Sequence, residues 1–236
     1  MDYKDYQAGQ TSANFWFKGK NNLINILMSK ISKKGERLKI LNIGAGTGED
    51  LKILNKYGDN YLIDINKNAL NLIDEYLCIE KRAADACKLP YQDDFFDIVV
   101  SFDVFEHISN DNKAILEAHR VLKKGGRLVF IVPAFNFLFS NHDKALGHKR
   151  RYNKKMLKES LKEFKNLKLY YWNSIMFLLI APVRLIKRNS KPKIDRLKLP
   201  EFINSFLYFL LNIEGRCIKY EIPLPFGLSI AGFCQK

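Results

Sequence analysis

Short apolar runs and amphipathic stretches alternate along the first 133 residues. Residues 15–33 repeat apolar side chains every three or four positions, which predicts an amphipathic helix. Apolar runs that predict buried strands occupy residues 38–43, 61–64, 96–101 and 128–132, with a further strand just before Asp85. Helical spacing marks the segments between them, at 49–56, 67–77 and 111–122. Strands that alternate with helices predict a parallel sheet with helices on both faces.

The alternation ends after residue 134. A polar loop rich in His and Arg covers residues 135–152, and a basic helix is predicted at 153–163. Two apolar segments follow, at 175–186 and 202–213, and the chain closes with a strand-like segment at 228–234. We expect these later segments to decorate the sheet and to carry substrate specificity.

Three glycines follow the first predicted strand and open a helix. Gly44, Gly46 and Gly48 let backbone amides approach a ligand without a Cβ in the way. In the dinucleotide fingerprint the third glycine comes one residue later, where this chain has Glu49. Glu49 and Asp50 would repel a pyrophosphate at the helix N-terminus. The turn therefore favours a cofactor with a ribose and an adenine but no phosphate over NAD or FAD.

Two acids stand where such a cofactor needs acceptors. Asp64 ends the second strand, the position from which a carboxylate accepts both ribose hydroxyls. The alternative for Asp64 is a cap on the following helix. Asp85 comes just after the third strand, where it can accept from the adenine amino group; its alternative is a loop acid near Lys88.

Six segments occur in the order and spacing of a known family. Class I S-adenosylmethionine-dependent methyltransferases of the type 11 group have motifs that these segments resemble: Leu41-Asn42-Ile43-Gly44-Ala45-Gly46-Thr47-Gly48, Asp64, Asp85-Ala86-Cys87-Lys88-Leu89-Pro90, Phe96-Asp97-Ile98-Val99, Glu106-His107-Ile108 and Arg120-Val121-Leu122-Lys123-Lys124-Gly125-Gly126. The resemblance covers about residues 38–133. It implies S-adenosylmethionine as cofactor, with contacts from Gly44, Ala45, Gly46, Gly48, Asp64, Ile65, Asp85, Ala86, Ser101 and Phe102.

The resemblance extends beyond these motifs. Residues 15–20, 142–152 and 224–229 are similar to a bacterial and archaeal subgroup linked with cell-surface glycan and lipid biosynthesis. The family implies a Rossmann-like, seven-stranded, mostly parallel sheet with helices on both faces. We expect an N-terminal helical lid at 1–37, a cofactor-binding core at 38–134, and an acceptor loop, helical insertion and closing strands of the same domain at 135–236.

Methyl transfer from a sulfonium is an in-line displacement, so the enzyme mainly positions donor and acceptor. A general base is needed only for a poor nucleophile such as a hydroxyl. Asp103, after the fourth strand, is expected to orient the acceptor or a cofactor amino group, or else to cap the next helix. The loop after the fifth strand offers a base near neutral pH and an anion clamp, or a structural network, from His142, Asp143, His148, Arg150, Arg151 and Tyr152.

No metal site is expected from the sequence. His142 and His148 have no thiolate or third histidine near them in the chain. His107 belongs to the family pattern, where a buried helix start is its more common use.

The positive charge is concentrated in one segment. The chain holds 39 Lys and Arg against 25 Asp and Glu, and residues 141–200 hold 17 of the former against four of the latter. Six of these basic residues lie between the two apolar segments: Lys187, Arg188, Lys191, Lys193, Arg196 and Lys198. Such a pairing predicts peripheral contact with an anionic membrane. Helices that cover the sheet or form a homodimer interface are the alternative.

Composition narrows the remaining choices. With 47% hydrophobic residues the chain is an ordered globular protein rather than a disordered or collagen-like one. The four cysteines form no Cys-x-x-Cys pair and no secretory signal opens the chain, so a cytoplasmic, reduced protein is expected. The acceptor is expected to be a small molecule, a glycan or a lipid-linked intermediate. RNA ranks below these because no series of stacking aromatics accompanies the charge. A non-catalytic binding protein on the same fold is the alternative.

Overall fold

A computed structural model describes residues 14–33, 35, 37–186 and 199–236. The first 13 residues of the predicted lid lie outside the described residues. So do the six basic residues between the apolar segments, at 187–198.

Seven strands form one sheet. They are β1 (Leu38–Ile43), β2 (Gly58–Asp64), β3 (Glu80–Ala83), β4 (Phe96–Phe102), β5 (Leu122–Pro133), β6 (Lys165–Trp172) and β7 (Ser229–Gln235). Their order across the sheet is β3-β2-β1-β4-β5-β7-β6. The first five pair in parallel, whereas β7 is antiparallel to both β5 and β6. The predicted seven-stranded, mostly parallel Rossmann-like sheet is therefore confirmed. Its switch point lies between β1 and β4, where such sheets bind ligands.

Eight α-helices accompany the strands in the described part of the chain. They are α1 (Phe15–Ile31), α2 (Leu51–Leu54), α3 (Lys67–Leu70), α4 (Asp111–Val121), α5 (Asn141–Leu146), α6 (Lys154–Ser160), α7 (Ser174–Ile186) and α8 (Glu201–Lys219). Core side chains of α4 and α6 pack on one face of the sheet. Those of α1, α7 and α8 pack on the other face. Helices thus cover both faces, as predicted.

Several elements differ from the sequence prediction. Helices α2 and α3 are single turns, shorter than the predicted 49–56 and 67–77. Strand β5 begins at Leu122, directly after α4 ends at Val121, and is therefore longer than the predicted strand at 128–132. Strand β6 has no counterpart in the prediction. It lies at the sheet edge and exposes Lys165, so its sequence lacks the apolar run of a central strand.

Helix α1 forms a layer of the core. Leu23, Ile24 and Leu27 are at most 1% exposed, and each such burial contributes about 2 kcal/mol. Helix α8 lies against α1 so closely that a Cβ on Gly19 would be 2.4 Å from Leu211 Cδ1. The described part of the predicted lid is therefore a fixed layer, and a lid function for residues 1–37 stays a prediction.

Candidate active site

The glycine turn connects β1 to the ends of its two neighbours. The amides of Gly44 and Ala45 both donate to the Ile63 carbonyl oxygen at the end of β2, over 2.8 and 3.0 Å. Gly44, Gly46 and Gly48 all have positive φ angles, of 73°, 53° and 78°. A Cβ on Gly44 would lie 2.4 Å from Cγ2 of Val104, which follows β4. The turn therefore requires glycine at position 44, at the switch point of the sheet.

Asp64 is held in place by this turn. One carboxylate oxygen accepts the Gly46 amide and the other accepts the Asn66 amide, each over 2.8 Å. A carboxylate has about four acceptor sites, so lone pairs remain for two ribose hydroxyls. Asn66, and not Asp64, caps helix α3. Beside Asp64, Ile65 is 83% exposed, which gives an apolar surface next to this carboxylate.

The remaining predicted cofactor residues lie on the ends of β3 and β4. Asp85 is exposed and accepts the Cys87 amide over 2.8 Å, in the loop after β3. Ala86 beside it is 9% exposed. Ser101 is fully buried, and its hydroxyl has no hydrogen-bond partner among the described residues; Phe102 packs into the core. The positive-φ glycine turn, the remaining lone pairs of Asp64, the exposed Ile65 and the unpaired Ser101 hydroxyl are compatible with an adenosine cofactor, and the individual contacts stay predictions.

Asp103 binds Lys20, a residue of the 15–20 motif for which the sequence predicts no role at the site. Its φ angle is 57°, and its carboxylate lies 3.0 Å from Nζ of Lys20 on α1. Burial alone would lower the pKa of Lys20, but the charges of Asp103 and Asp50 outweigh it and raise that pKa. Asp103 is not a helix cap, because Val104 occupies that position in the 3₁₀ turn that follows. Only the packing of α1 on the sheet brings Lys20 to this edge.

Asp143 is the buried centre of the acceptor loop. It forms a capping box with Ser140 at the start of α5. Its Oδ1 accepts from Arg151 Nε over 2.8 Å and lies 3.0 Å from His148 Nδ1, while Arg184 of α7 lies 3.5 Å from Oδ2. Burial would raise the pKa of Asp143, but its bond to His148 and the charge of Arg151 hold it below its usual value. Asp143 is therefore ionised and enclosed.

The end of the loop is tied to α4. The Tyr152 hydroxyl donates to Asp111 Oδ2 over 2.6 Å, and Arg150 forms an ion pair with the same carboxylate. Tyr152 is 1% exposed, and burial with the nearby Asp111 raises its pKa. Arg150 and Arg151, which were predicted to bind an anion, each form an ion pair with a carboxylate of the protein itself. A catalytic role for Arg150, Arg151 and Tyr152 stays a prediction.

The fold brings two distant histidines together. His107 follows β4 and His148 follows β5, and their rings stand edge to face with centroids 4.7 Å apart. The Lys149 amide donates to the Glu106 carbonyl oxygen over 2.7 Å, which joins the two loops. The Glu106 side chain is fully buried, and neither carboxyl oxygen has a hydrogen-bond partner among the described residues. Burial and the charge of Asp103 raise its pKa well above the usual value. His142 stands apart from this pair, in the first turn of α5.

One family model matches the part of the chain that contains the glycine turn. Residues 41–130 match the model of the family described as "Methyltransferase domain". This part of the chain is therefore similar to a methyltransferase domain. The match spans the glycine turn, Asp64, Asp85 and Asp103. It supports the predicted class of S-adenosylmethionine-dependent methyltransferases and the predicted cofactor.

Two curated proteins are similar to this chain in sequence. The chain is 31% identical over 161 residues to an uncharacterised protein of Methanocaldococcus jannaschii, covering 66% of this chain and 65% of that one. It is 32% identical over 150 residues to the ubiquinone/menaquinone biosynthesis C-methyltransferase UbiE of Laribacter hongkongensis, covering 54% and 62%. The chain thus spans less than two thirds of either relative.

Solved structures share the fold. A SAM-dependent methyltransferase from Archaeoglobus fulgidus matches with a TM-score of 0.59 and 19% identity, over 94% of this chain and 99% of that one. Residues 41–130 and the strands that follow them therefore have the same fold as that structure. The narrower glycan and lipid subgroup stays a prediction.

Proposed function

We propose that this chain transfers the methyl group of S-adenosylmethionine to a small amphiphilic or lipid-linked acceptor at the surface of an anionic membrane. The observation that carries the membrane part is the apolar surface of α7 and α8. The methyl-transfer part is supported by the domain match and by the fit of the switch-point residues to an adenosine cofactor.

In this proposal, different residues at the switch point bind different parts of the cofactor. The Gly44 to Gly48 turn lies against the methionine part and the ribose, and Asp64 accepts from the ribose hydroxyls. Ile65 covers one face of the adenine, and Asp85 accepts from its amino group. When bound, the sulfonium supplies a methyl group and leaves as a thioether. The chain contributes position rather than covalent chemistry.

The acceptor half contributes a fixed imidazole. Because His148 Nδ1 bonds to the buried Asp143, its Nε2 is the ring nitrogen left for other partners. His148 therefore has a set orientation beside the end of β4. A C-methyltransferase of ubiquinone/menaquinone biosynthesis among the relatives supports a small-molecule acceptor.

Large apolar side chains are concentrated on two helices. Nine of the 17 exposed large hydrophobic residues in the described part of the chain lie on α7 and α8: Leu178, Leu179, Val183, Leu185, Ile186, Phe202, Phe206, Phe209 and Ile213. The four on α8 are spaced by four, three and four residues, so they form one stripe. The opposite face of α8, with Leu211 and Ile218, is in the core. An apolar concentration of this kind marks an interaction surface.

The positive charge of the segment between these helices supports an anionic lipid surface as the partner. The sequence places Lys187, Arg188, Lys191, Lys193, Arg196 and Lys198 between the two helices. A basic residue near such a surface adds about 1 kcal/mol to binding. No helix within the described ranges is long and apolar enough to cross a bilayer. Arg184 of α7 also reaches Asp143, which links this surface to the acceptor loop.

Vesicle cosedimentation tests the membrane part. We expect the protein to bind phosphatidylglycerol vesicles at low salt, to bind phosphatidylcholine vesicles weakly, and to dissociate as salt is added. Replacing Phe202, Phe206 and Phe209 by serine should abolish binding. The matched control replaces Leu72 and Tyr76, two exposed apolar residues elsewhere, and should bind like wild type. Equal loss in both variants, or a wild-type dimer that buries the stripe, contradicts the proposal.

Methyl incorporation tests the transfer part. Labelled S-adenosylmethionine is incubated with the protein and either a lipid extract or a water-soluble metabolite extract of the source cells. We expect label in the lipid fraction. Label in the water-soluble fraction alone contradicts the acceptor assignment, and binding of S-adenosylmethionine without any transfer supports the non-catalytic alternative.

A further inference from the structure

We propose that Glu106, His107 and His148 bind a divalent transition-metal cation at the carboxyl edge of β4 and β5. Each residue offers one donor atom, and the three donor atoms lie within 4.8 Å of one another. Bonds of about 2.1 Å place the donors of a tetrahedral site about 3.4 Å apart, so closure around a cation needs a shift of only about 1 Å.

The buried carboxyl of Glu106 points to a missing partner. Its side chain is fully buried, and both oxygens lack hydrogen-bond partners among the described residues. An ionised carboxylate without a partner is costly in such a place, and a protonated one would still have an unpaired hydroxyl. A cation satisfies the group in a way that neither charge state does alone.

His148 is already oriented as a metal ligand. Histidine ligands generally donate their second ring N–H to a carboxylate, which fixes the tautomer and strengthens the ligand. His148 Nδ1 lies 3.0 Å from Asp143 Oδ1, so the lone pair is on Nε2. Asp143 is itself held by Arg151 and by the capping box with Ser140. Asp143 therefore fixes the orientation of the His148 ring, and Arg151 and Ser140 fix the position of Asp143.

The charges around the site allow a cation. Lys20 and Arg151 are the cationic groups whose charges act on Glu106. Lys20 is paired with Asp103 at 3.0 Å, and Arg151 with Asp143 at 2.7 Å. The two positive charges are therefore matched before Glu106 is counted, and its carboxylate remains to balance a cation.

The donor set indicates which metals bind. Two imidazoles and one carboxylate suit zinc, iron(II) and their neighbours, whereas magnesium and calcium prefer oxygen ligands. Three protein ligands leave coordination positions open for water or for oxygen atoms of an acceptor. That use of the open positions rests on the proposed methyl transfer. Binding of the cation does not.

Cobalt(II) titration of the chelator-treated, full-length protein tests the site. We expect visible absorption from one bound cobalt per chain, displaced by zinc and unaffected by excess magnesium. His148→Ala and Glu106→Gln should each weaken cobalt binding by at least about 100-fold, more than loss of an outer-shell group does. His119→Ala is the matched control, because that histidine packs against Phe164 on another part of the molecule. Wild-type affinity in the first two variants overturns the proposal.

X-ray absorption of zinc-loaded wild type gives a second measurement that needs no variant. We expect two imidazoles and oxygen ligands, and a thiolate or a single imidazole overturns the site. Neither experiment uses S-adenosylmethionine or an acceptor. A failure of the metal site is therefore distinguishable from a failure of the proposed methyl transfer.

Discussion

The cofactor half and the acceptor half of this site are built in opposite ways. In the predicted cofactor half, the candidate residues are a glycine turn and side chains that are at least partly exposed, such as Asp64, Ile65 and Asp85. In the acceptor half, charged groups such as Glu106, Asp143 and Arg151 are buried among each other. In the first half Ile65 and Asp85 are exposed, so these two side chains can be exchanged at little cost in stability. The second is a network whose members hold the fold as well as the site.

Asp143→Ala gives the largest expected effect and breaks the acceptor half. It leaves the Arg151 charge buried without its partner, which should cost about 3–5 kcal/mol in the free energy of unfolding. Urea denaturation followed by circular dichroism measures the change. Asp85→Ala, an acid of the cofactor half, is the control and should change stability little. A similar loss in the two variants contradicts the comparison.

Asp64→Ala affects the cofactor half through affinity. Removing the ribose acceptor should weaken S-adenosylmethionine binding by about 30-fold to 150-fold, since bonds to a charged acceptor contribute about 2–3 kcal/mol. Calorimetry measures the dissociation constant, and Asp74→Ala at an exposed position nearby is the control. Wild-type affinity in Asp64→Ala would mean that the cofactor lies elsewhere.

The pH dependence of the free energy of unfolding reports on the buried Glu106 carboxyl. In metal-free protein the pKa of folded Glu106 is raised above its ordinary value of 4.5, so above that pH the folded state holds a proton that the unfolded state has lost. Stability should therefore fall as pH rises from 5 to 7, by up to about tenfold in the folding constant per pH unit.

The pKa of Asp143 is shifted in the opposite direction, so its effect on stability falls outside the range from pH 5 to 7. The pKa of folded Asp143 is lowered, so its contribution is complete above its ordinary value of 3.8 and is lost only as pH falls below it. Urea denaturation at pH 5, 6 and 7 should show the slope in wild type and a flatter profile in Glu106→Gln. Parallel profiles would contradict the assignment of the slope to Glu106.

Asp85→Ala gives the smallest expected effect. One hydrogen bond to the adenine amino group, at an exposed position, contributes about 1 kcal/mol, or roughly fivefold in S-adenosylmethionine affinity. Calorimetry with the cofactor and with an analogue that lacks the amino group measures it. We expect the variant to bind both ligands equally well, and a retained preference for the amino group contradicts the role of Asp85.

Interactions between sequence neighbours were predictable from the sequence. The glycine turn and the end of β2 are defined by chain direction and by φ angles that only certain residues adopt easily, so Gly44, Gly46 and Asp64 could be identified without a structure. The order of strands and helices up to residue 133 follows from hydrophobic periodicity for the same reason. That part of the prediction needs only local information.

Tertiary structure decided which distant residues meet. His148 lies 42 positions beyond Glu106 in the sequence, and the two meet because β4 and β5 are neighbours in the sheet. Lys20 reaches Asp103 only because α1 packs on the same edge. The apolar residues of α8 surround much of the helix, so the choice between core and surface also needed the fold. Side-chain networks depend on packing between elements, and no spacing along one chain segment determines that packing.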